Sequence, residues 1–323
     1  MTATRNQWVA AALGAAALAP IAVKQAVNRL APPEGAPGEF VEFDGERVHA
    51  LVNREGDGPT VVFESGLSCP CTEWAWVLRG IDGRFPYVVY DRPGNGWSPA
   101  RGRRGAAKTN DVTAGLLAAL GLPAPYVFVG HSVGGLVARA FAAGRPDQVA
   151  GLVLAESSHP DQGSRVPAQR EALLMVRHNI SNLRLRSFFG VDVGPEPMRY
   201  FRALPPELVA CTVHAVSSAA VWRGAAMEFD VWESRWAKEV RDKPLPGDLP
   251  VAVLTAGVNA DPQHLVLQRE LAELSDVHRH TVVDGADHNG LVMHREPAAE
   301  IVGAIEWAAT ARVPVLEPLN RPR

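Results

Sequence analysis

Short, unbroken apolar runs recur along the chain: residues 60–63 (TVVF), 87–90 (YVVY), 126–129 (YVFV), 151–154 (GLVL) and 251–254 (VAVL), with a shorter one at 281–283. Such runs suit strands buried on both faces of a parallel sheet. Ahead of them, residues 40–43 and 47–53 alternate apolar and polar positions around Asp44-Gly45, a hairpin pattern. Helical periodicity fills several of the gaps, at 110–120, 133–143, 263–274 and 297–311. Thr109 is suited to cap the first of these helices, and Pro297 to open the last. Strands alternating with helices predict βαβ units and an α/β fold with a doubly wound, mostly parallel sheet. From about residue 160 to 247 the alternation stops. Helix-like stretches containing Trp222, Trp232 and Trp236 replace it, which reads as a helical cap inserted between two strands and covering a site at their ends.

The expected organisation is therefore an apolar segment over 1–30, a linker over 31–39, a core over 40–159 and 248–312, a cap over 160–247 and a tail over 313–323. The linker contains APPEGAPG, a composition that resists regular structure. Residues 8–23 (WVAAALGAAALAPIAV) are uncharged, with Arg5 before them and Lys24 and Arg29 after. That pattern predicts a membrane anchor or export signal, with a cytoplasmic protein bearing an N-terminal helix as the alternative. The 323 residues are 47% hydrophobic and carry a net charge of -3, so no concentrated basic surface invites nucleic acid. Arg101, Arg103 and Arg104 read as a solvated loop. The three cysteines, Cys69, Cys71 and Cys211, show no metal-ligand spacing and need no disulfide framework.

The chemistry concentrates in Gly130-His131-Ser132-Val133-Gly134-Gly135, between a buried run and a helix. A G-x-S-x-G at such a junction forces the serine into a tight turn, its hydroxyl raised beside a helix N-terminus. The N–H of Val133 is then placed to receive a developing oxyanion. A serine needs a base. His288, in a glycine-containing loop after the last strand, is the candidate; His294 competes weakly, His278 and His280 lie at the wrong strand end, and His131 packs. The acid should follow the preceding strand, where Asp261 stands; Glu156, at the end of GLVLAE, is the alternative, and a helix cap is the structural reading of Asp261 before Pro262. A second oxyanion donor should come from Glu64-Ser65-Gly66-Leu67-Ser68, with the N–H of Leu67 preferred to that of Ser68.

These residues resemble the α/β-hydrolase superfamily, specifically its capped, esterase- and peptidase-like members. The resemblance spans roughly residues 40–312 and rests on GHSVGG, on YDRPGNGWS at 90–98, on the strand ending near Asp261, and on GADHNG at 285–290. It implies that Asp91 and Arg92 brace a turn. It also implies that members with an aspartate nucleophile, the dehalogenases and epoxide hydrolases, are excluded. Many relatives carry His-Gly in the oxyanion loop, where this chain has Ser65-Gly66. The implied activity is hydrolysis of a carboxylic ester of a small, largely apolar substrate through an acyl-enzyme. Aminopeptidase or amidase chemistry, with Glu228, Asp230 or Glu233 holding an amine, is an alternative. Acyl transfer and a catalytically silent ligand-binding protein are further ones. Trp222, Phe229, Trp232 and Trp236 are the expected substrate contacts. No metal or organic cofactor is implied, the partner is a small-molecule substrate, and the oligomeric state is not specified.

Overall fold

The computed structural model describes residues 35–99, 109–189, 191, 199–258 and 260–311, together with 16, 18–20, 22 and 23. Most of the apolar 8–23 stretch, the Arg101–Arg104 cluster and the 313–323 tail lie outside the described residues. Among those described, no helix is long and apolar enough to cross a membrane.

The chain opens with a hairpin, β1 (Glu39–Phe43) and β2 (Glu46–Asn53), paired antiparallel with Phe43 opposite Glu46. Asp44 and Gly45 form its two-residue turn with φ of 48° and 73°. Only turns with positive φ at both central positions match strand twist in so short a loop, and Asp-Gly tolerates them. β3 (Thr60–Glu64), β4 (Tyr87–Tyr90), β5 (Tyr126–His131), β6 (Val149–Ala155), β7 (Val251–Ala256) and β8 (His278–Val283) complete an eight-stranded sheet, ordered β1-β2-β4-β3-β5-β6-β7-β8. β2 pairs antiparallel with β4, and every pairing from β4 to β8 is parallel. The fold is the doubly wound α/β sheet that the sequence pattern predicts.

Helices α1 (Ala75–Ile81), α2 (Thr109–Leu120) and α3 (Gly134–Gly144) connect the first parallel strands. On one face of the sheet Phe63, Trp74 and Ile81 pack with Ile301 and Ile305; on the other Phe128, Leu116, Phe141 and Leu152 form a second apolar layer. β5 and β6 are buried along their whole length, as strands covered on both faces must be. β8 is the edge of the parallel part of the sheet: its leading residues His278 and Arg279 are exposed, and the strand extends three residues ahead of its apolar run.

Between β6 and β7 runs the helical cap: α4 (Gln162–Arg165), α5 (Pro167–Phe188), α6 (Pro206–Val216), α7 (Ala219–Val231), a π-helical turn (Trp232–Trp236) and α8 (Ala237–Arg241). A third apolar cluster joins it to the sheet domain, with Leu136 and Val137 of α3 against Phe201, Trp222 and Phe229. After β7 come α9 (Pro262–Ala272), β8, the short α10 (Gly290–Met293) and α11 (Arg295–Thr310).

Candidate active site

Ser132 stands between the end of β5 and the start of α3, with φ of 53°. A left-handed conformation at a non-glycine residue costs energy and persists only when its surroundings fix it. Here the Ser132 N–H donates to Ala155 O (3.2 Å), and its carbonyl accepts from Ser158 N (2.9 Å) and Gly135 N (3.1 Å). The flanking glycines are required by contact. A Cβ on Gly134 would lie 2.2 Å from Glu64 O, and one on Gly130 would lie 2.6 Å from the Cα of Gly135. One on Gly135 would lie 1.8 Å from Ser157 Oγ. Val133 occupies the N-cap of α3, where backbone N–H groups have no acceptor within the helix.

His288 lies in the turn between β8 and α10, its side chain 49% exposed. Its Nδ1 is 3.7 Å from Oε1 of Glu156, which directly follows β6, the strand beside the nucleophile strand. Glu156 also has a left-handed φ, 45°. Its Oε2 accepts the N–H of Ala256 (2.8 Å), and its Oε1 faces His264 Nε2 at 2.9 Å. Burial pushes this carboxyl up, but the bonds and charges of His264 and His288 outweigh it and hold Glu156 well below the usual carboxylate range. Asp261 is not the acid beside His288. Its Oδ1 accepts the N–H groups of Gln263 (2.7 Å) and His264 (3.3 Å), which makes it the N-cap of α9 with Pro262 in the first turn. The carboxylate within reach of His288 comes from one strand earlier.

The loop after β3 is held from below. Glu73 Oε1 accepts the Gly66 N–H (2.7 Å), and its Oε2 meets His131 Nδ1 at 3.1 Å. The other nitrogen of His131 faces the carbonyl of His288 at 3.1 Å. Both ring nitrogens thus meet acceptors, the arrangement that suits an imidazolium. Burial works against that charge, yet Glu73 raises the His131 pKa above its ordinary value; the same pairing draws Glu73 below its own, against the push of burial. Arg92 caps the loop carbonyls, donating from Nη1 to Ser65 O (2.6 Å) and from Nη2 to Gly66 O (3.1 Å). The Gly66 N–H is therefore spent on Glu73. Leu67 and Ser68 face the cavity, and Ser68, like Ser132 and Glu156, is a non-glycine residue of positive φ, at 58°.

These groups share one cavity of about 800 Å³ between sheet and cap. Ser132, His288 and Glu156 line its floor, and Leu173, Val176 and Leu183 of α5 its roof. Trp222 and Trp232 line it as expected from the sequence. Phe229 and Trp236 are not among its walls; they are buried in the cluster that joins cap to sheet. Phe229 packs edge-on against Trp232 with Arg177 over its ring, and Trp236 lies beneath the Arg92 guanidinium.

The family profile described as alpha/beta hydrolase fold matches residues 59–202. A lipase of Mycobacterium tuberculosis, LipV, is 31% identical over 186 residues, 56% of this chain and 67% of the relative. The chain belongs to the α/β-hydrolase superfamily. It is also similar to a pimeloyl-[acyl-carrier protein] methyl ester esterase of Chromobacterium violaceum, 39% identical over 111 residues, 34% of this chain and 42% of the relative. Against some of its curated relatives, then, the match spans less than half of the relative's length. An esterase of Thermogutta terrifontis superposes with a TM-score of 0.58 at 22% identity, over 86% of this chain and all of that one, which is a likeness of fold.

In this α/β-hydrolase the turn after β4 carries the brace that its sequence implies. Asp91 accepts the N–H groups of Cys71 (2.7 Å) and Trp97 (3.0 Å) and meets His49 Nδ1 at 2.8 Å. His49, Cys71 and Asp91 are close enough to suggest a metal triad. Their lone pairs and protons are already spent on one another and on backbone, and burial, then Asp91, pushes the Cys71 thiol far up. That donor set fits a hydrogen-bonded brace and does not fit a cation. Sequence reasoning missed His264 and Glu73 entirely. The helix signal at 263–274 gave no reason to look for a polar side chain turned inward from its first turn.

Proposed function

We propose that this hydrolase cleaves carboxylic esters through an acyl-enzyme, with Ser132 as nucleophile, His288 as base and Glu156 as acid. The observation that carries the reading is the convergence of Ser132 and Glu156, both held in left-handed conformations at adjacent strand ends, with His288 on the wall of one cavity. Ser132 Oγ attacks the ester carbonyl carbon while His288 Nε2 takes the hydroxyl proton. Glu156 steadies the imidazolium through Nδ1. The N–H groups of Val133 and Leu67 receive the oxyanion. The carbonyl–oxygen bond to the alcohol then breaks, and His288 returns the proton to the leaving oxygen. Water, deprotonated by His288, opens the acyl-enzyme and frees the acid.

An ester is favoured over an aminoacyl substrate because the carboxylates suited to hold an amine are occupied. Glu228 is buried against Arg92, and Asp230 and Glu233 face Arg177 at 3.6 and 3.4 Å. The relatives' names, a methyl ester esterase and a lipase, point the same way. The test is a panel of p-nitrophenyl esters and aminoacyl anilides with fluorophosphonate labelling of the intact chain. Ester turnover with label on Ser132, both lost in Ser132→Ala, is expected. Turnover of anilides without esters overturns the substrate class, and absence of labelling overturns the mechanism.

A further inference from the structure

The mechanism leaves His264 unused, yet it stands closer to the acid than the base does. Its Nε2 is 2.9 Å from Glu156 Oε1, the same oxygen that His288 Nδ1 approaches at 3.7 Å. The ring is buried, it contributes to the cavity wall, and its Nδ1 meets Gln169 Nε2 of α5 at 3.5 Å. Resting on the triad reading above, we propose that His264 is a positioning residue: it clamps the Glu156 carboxylate for His288 and ties the acid to the cap through Gln169.

The need for a clamp follows from the choice of acid. Glutamate reaches from β6 through one more rotatable bond than aspartate, so more side-chain freedom must be removed to aim its oxygens. A single backbone bond, from Ala256 to Oε2, leaves rotation about that bond open. The Nε2–H of His264 fixes Oε1 and closes it. His264 itself is aimed by its place in the first turn of α9, which Asp261 caps. The aspartate that stands where the acid was expected thus acts one step removed, by orienting the helix that carries the clamp. The groups facing Glu156 are the rings of His264 and His288 and the Ala256 N–H, and its charge reaches His131 and His280 farther off. Arg269 and His264 act on His280 in the opposite sense.

The experiment compares His264→Phe, which keeps a planar ring without a donor, with His264→Gln, whose amide can donate from a similar place. Each is assayed on a p-nitrophenyl ester from pH 5 to 9 beside Glu156→Gln and His288→Ala, after thermal unfolding shows the variants folded. Loss of one charge-assisted bond predicts a fall in kcat of about 10- to 100-fold in His264→Phe, with KM within about twofold. Its low-pH limb should move to higher pH, because an Oε1 stripped of one donor holds the His288 proton more tightly. His264→Gln should restore most of kcat and return the limb. A limb that stays in place in His264→Phe, or a loss equal in both variants, overturns the clamp. If His264→Phe abolishes turnover while His288→Ala keeps it, the base itself was misassigned and the proposed mechanism fails instead.

Discussion

Arg92 and Glu228 offer the sharpest test of how cap and sheet are joined. Glu228 lies on α7 of the cap; Arg92 lies in the turn after β4; the two are 1% and 2% exposed. The contact is two-pronged, Nε to Oε1 at 2.7 Å and Nη2 to Oε2 at 3.1 Å, with Asn95 Nδ2 donating to Oε2 at 3.0 Å. Glu228→Ala leaves a buried guanidinium that keeps its bonds to the Ser65 and Gly66 carbonyls but, among the described residues, has Glu64 as its remaining carboxylate, with Oε2 3.6 Å away. Removing one partner of such a pair costs about 3–5 kcal/mol, because the orphaned charge stays desolvated. Unfolding entropy of roughly 2.1 cal/mol/K per residue over 323 residues converts that to a fall in Tm of about 4–7 °C. Glu64 can take over only when ionised, and burial, outweighing Arg92, Tyr90 and Thr113, lifts its pKa to about 7. The deficit of Glu228→Ala should therefore be larger at pH 5.5 than at pH 8. Differential scanning calorimetry at both pH values, on the wild type, Glu228→Ala, Arg92→Met and the double variant, measures it. The double variant should lose less than the sum of the singles, since it leaves no orphan. A single-variant loss under 1 kcal/mol at both pH values refutes the argument.

Glu156→Gln should lower kcat/KM by about three to four orders of magnitude, while Asp261→Asn leaves it within about threefold and costs at most about 1 kcal/mol as a helix cap; ester kinetics with urea unfolding separate them. For Glu64, the folded carboxyl binds its proton more tightly than the unfolded one at 4.5, so its contribution to stability is fully present below that pH and is lost as pH rises through about 7. Glu64→Gln should remove up to about 3 kcal/mol of that downward slope, read as the difference in urea midpoints across pH 4.5–8. Gly135→Ala places a methyl carbon 1.8 Å from Ser157 Oγ, so fluorophosphonate labelling of Ser132 should drop by at least tenfold even if the variant folds.

What was legible in the sequence follows from how local each signal is. The buried runs that became β3 to β7 are read from composition alone, because a strand covered on both faces admits little but apolar residues. The elbow is legible as a local pattern, although its glycines answer partly to distant contacts: Gly130 to Gly135, but Gly134 to Glu64 O at the end of β3 and Gly135 to Ser157 just after β6. The helix of α1 was missed because its seven residues, preceded by a 3-10 turn, are too short to display a period. The acid could not be read locally at all. Glu156 directly follows β6 and Asp261 lies in the loop after β7, so both are candidates. Choosing between them needs the direction of a side chain whose aim is set by φ at Glu156, by an N–H from β7 and by a histidine 108 residues later. The Asp-Pro pair at 261–262 is the more informative signal, since a carboxylate that caps its own helix through Oδ1 is aimed at the first-turn N–H groups of that helix rather than at an imidazole on another loop. The same logic separates the tryptophans: which of them face the cavity depends on how α7 and the π-helical turn after it sit on the sheet, through contacts distant in sequence such as Arg92 with Glu228 and Leu136 with the cap's aromatic rings.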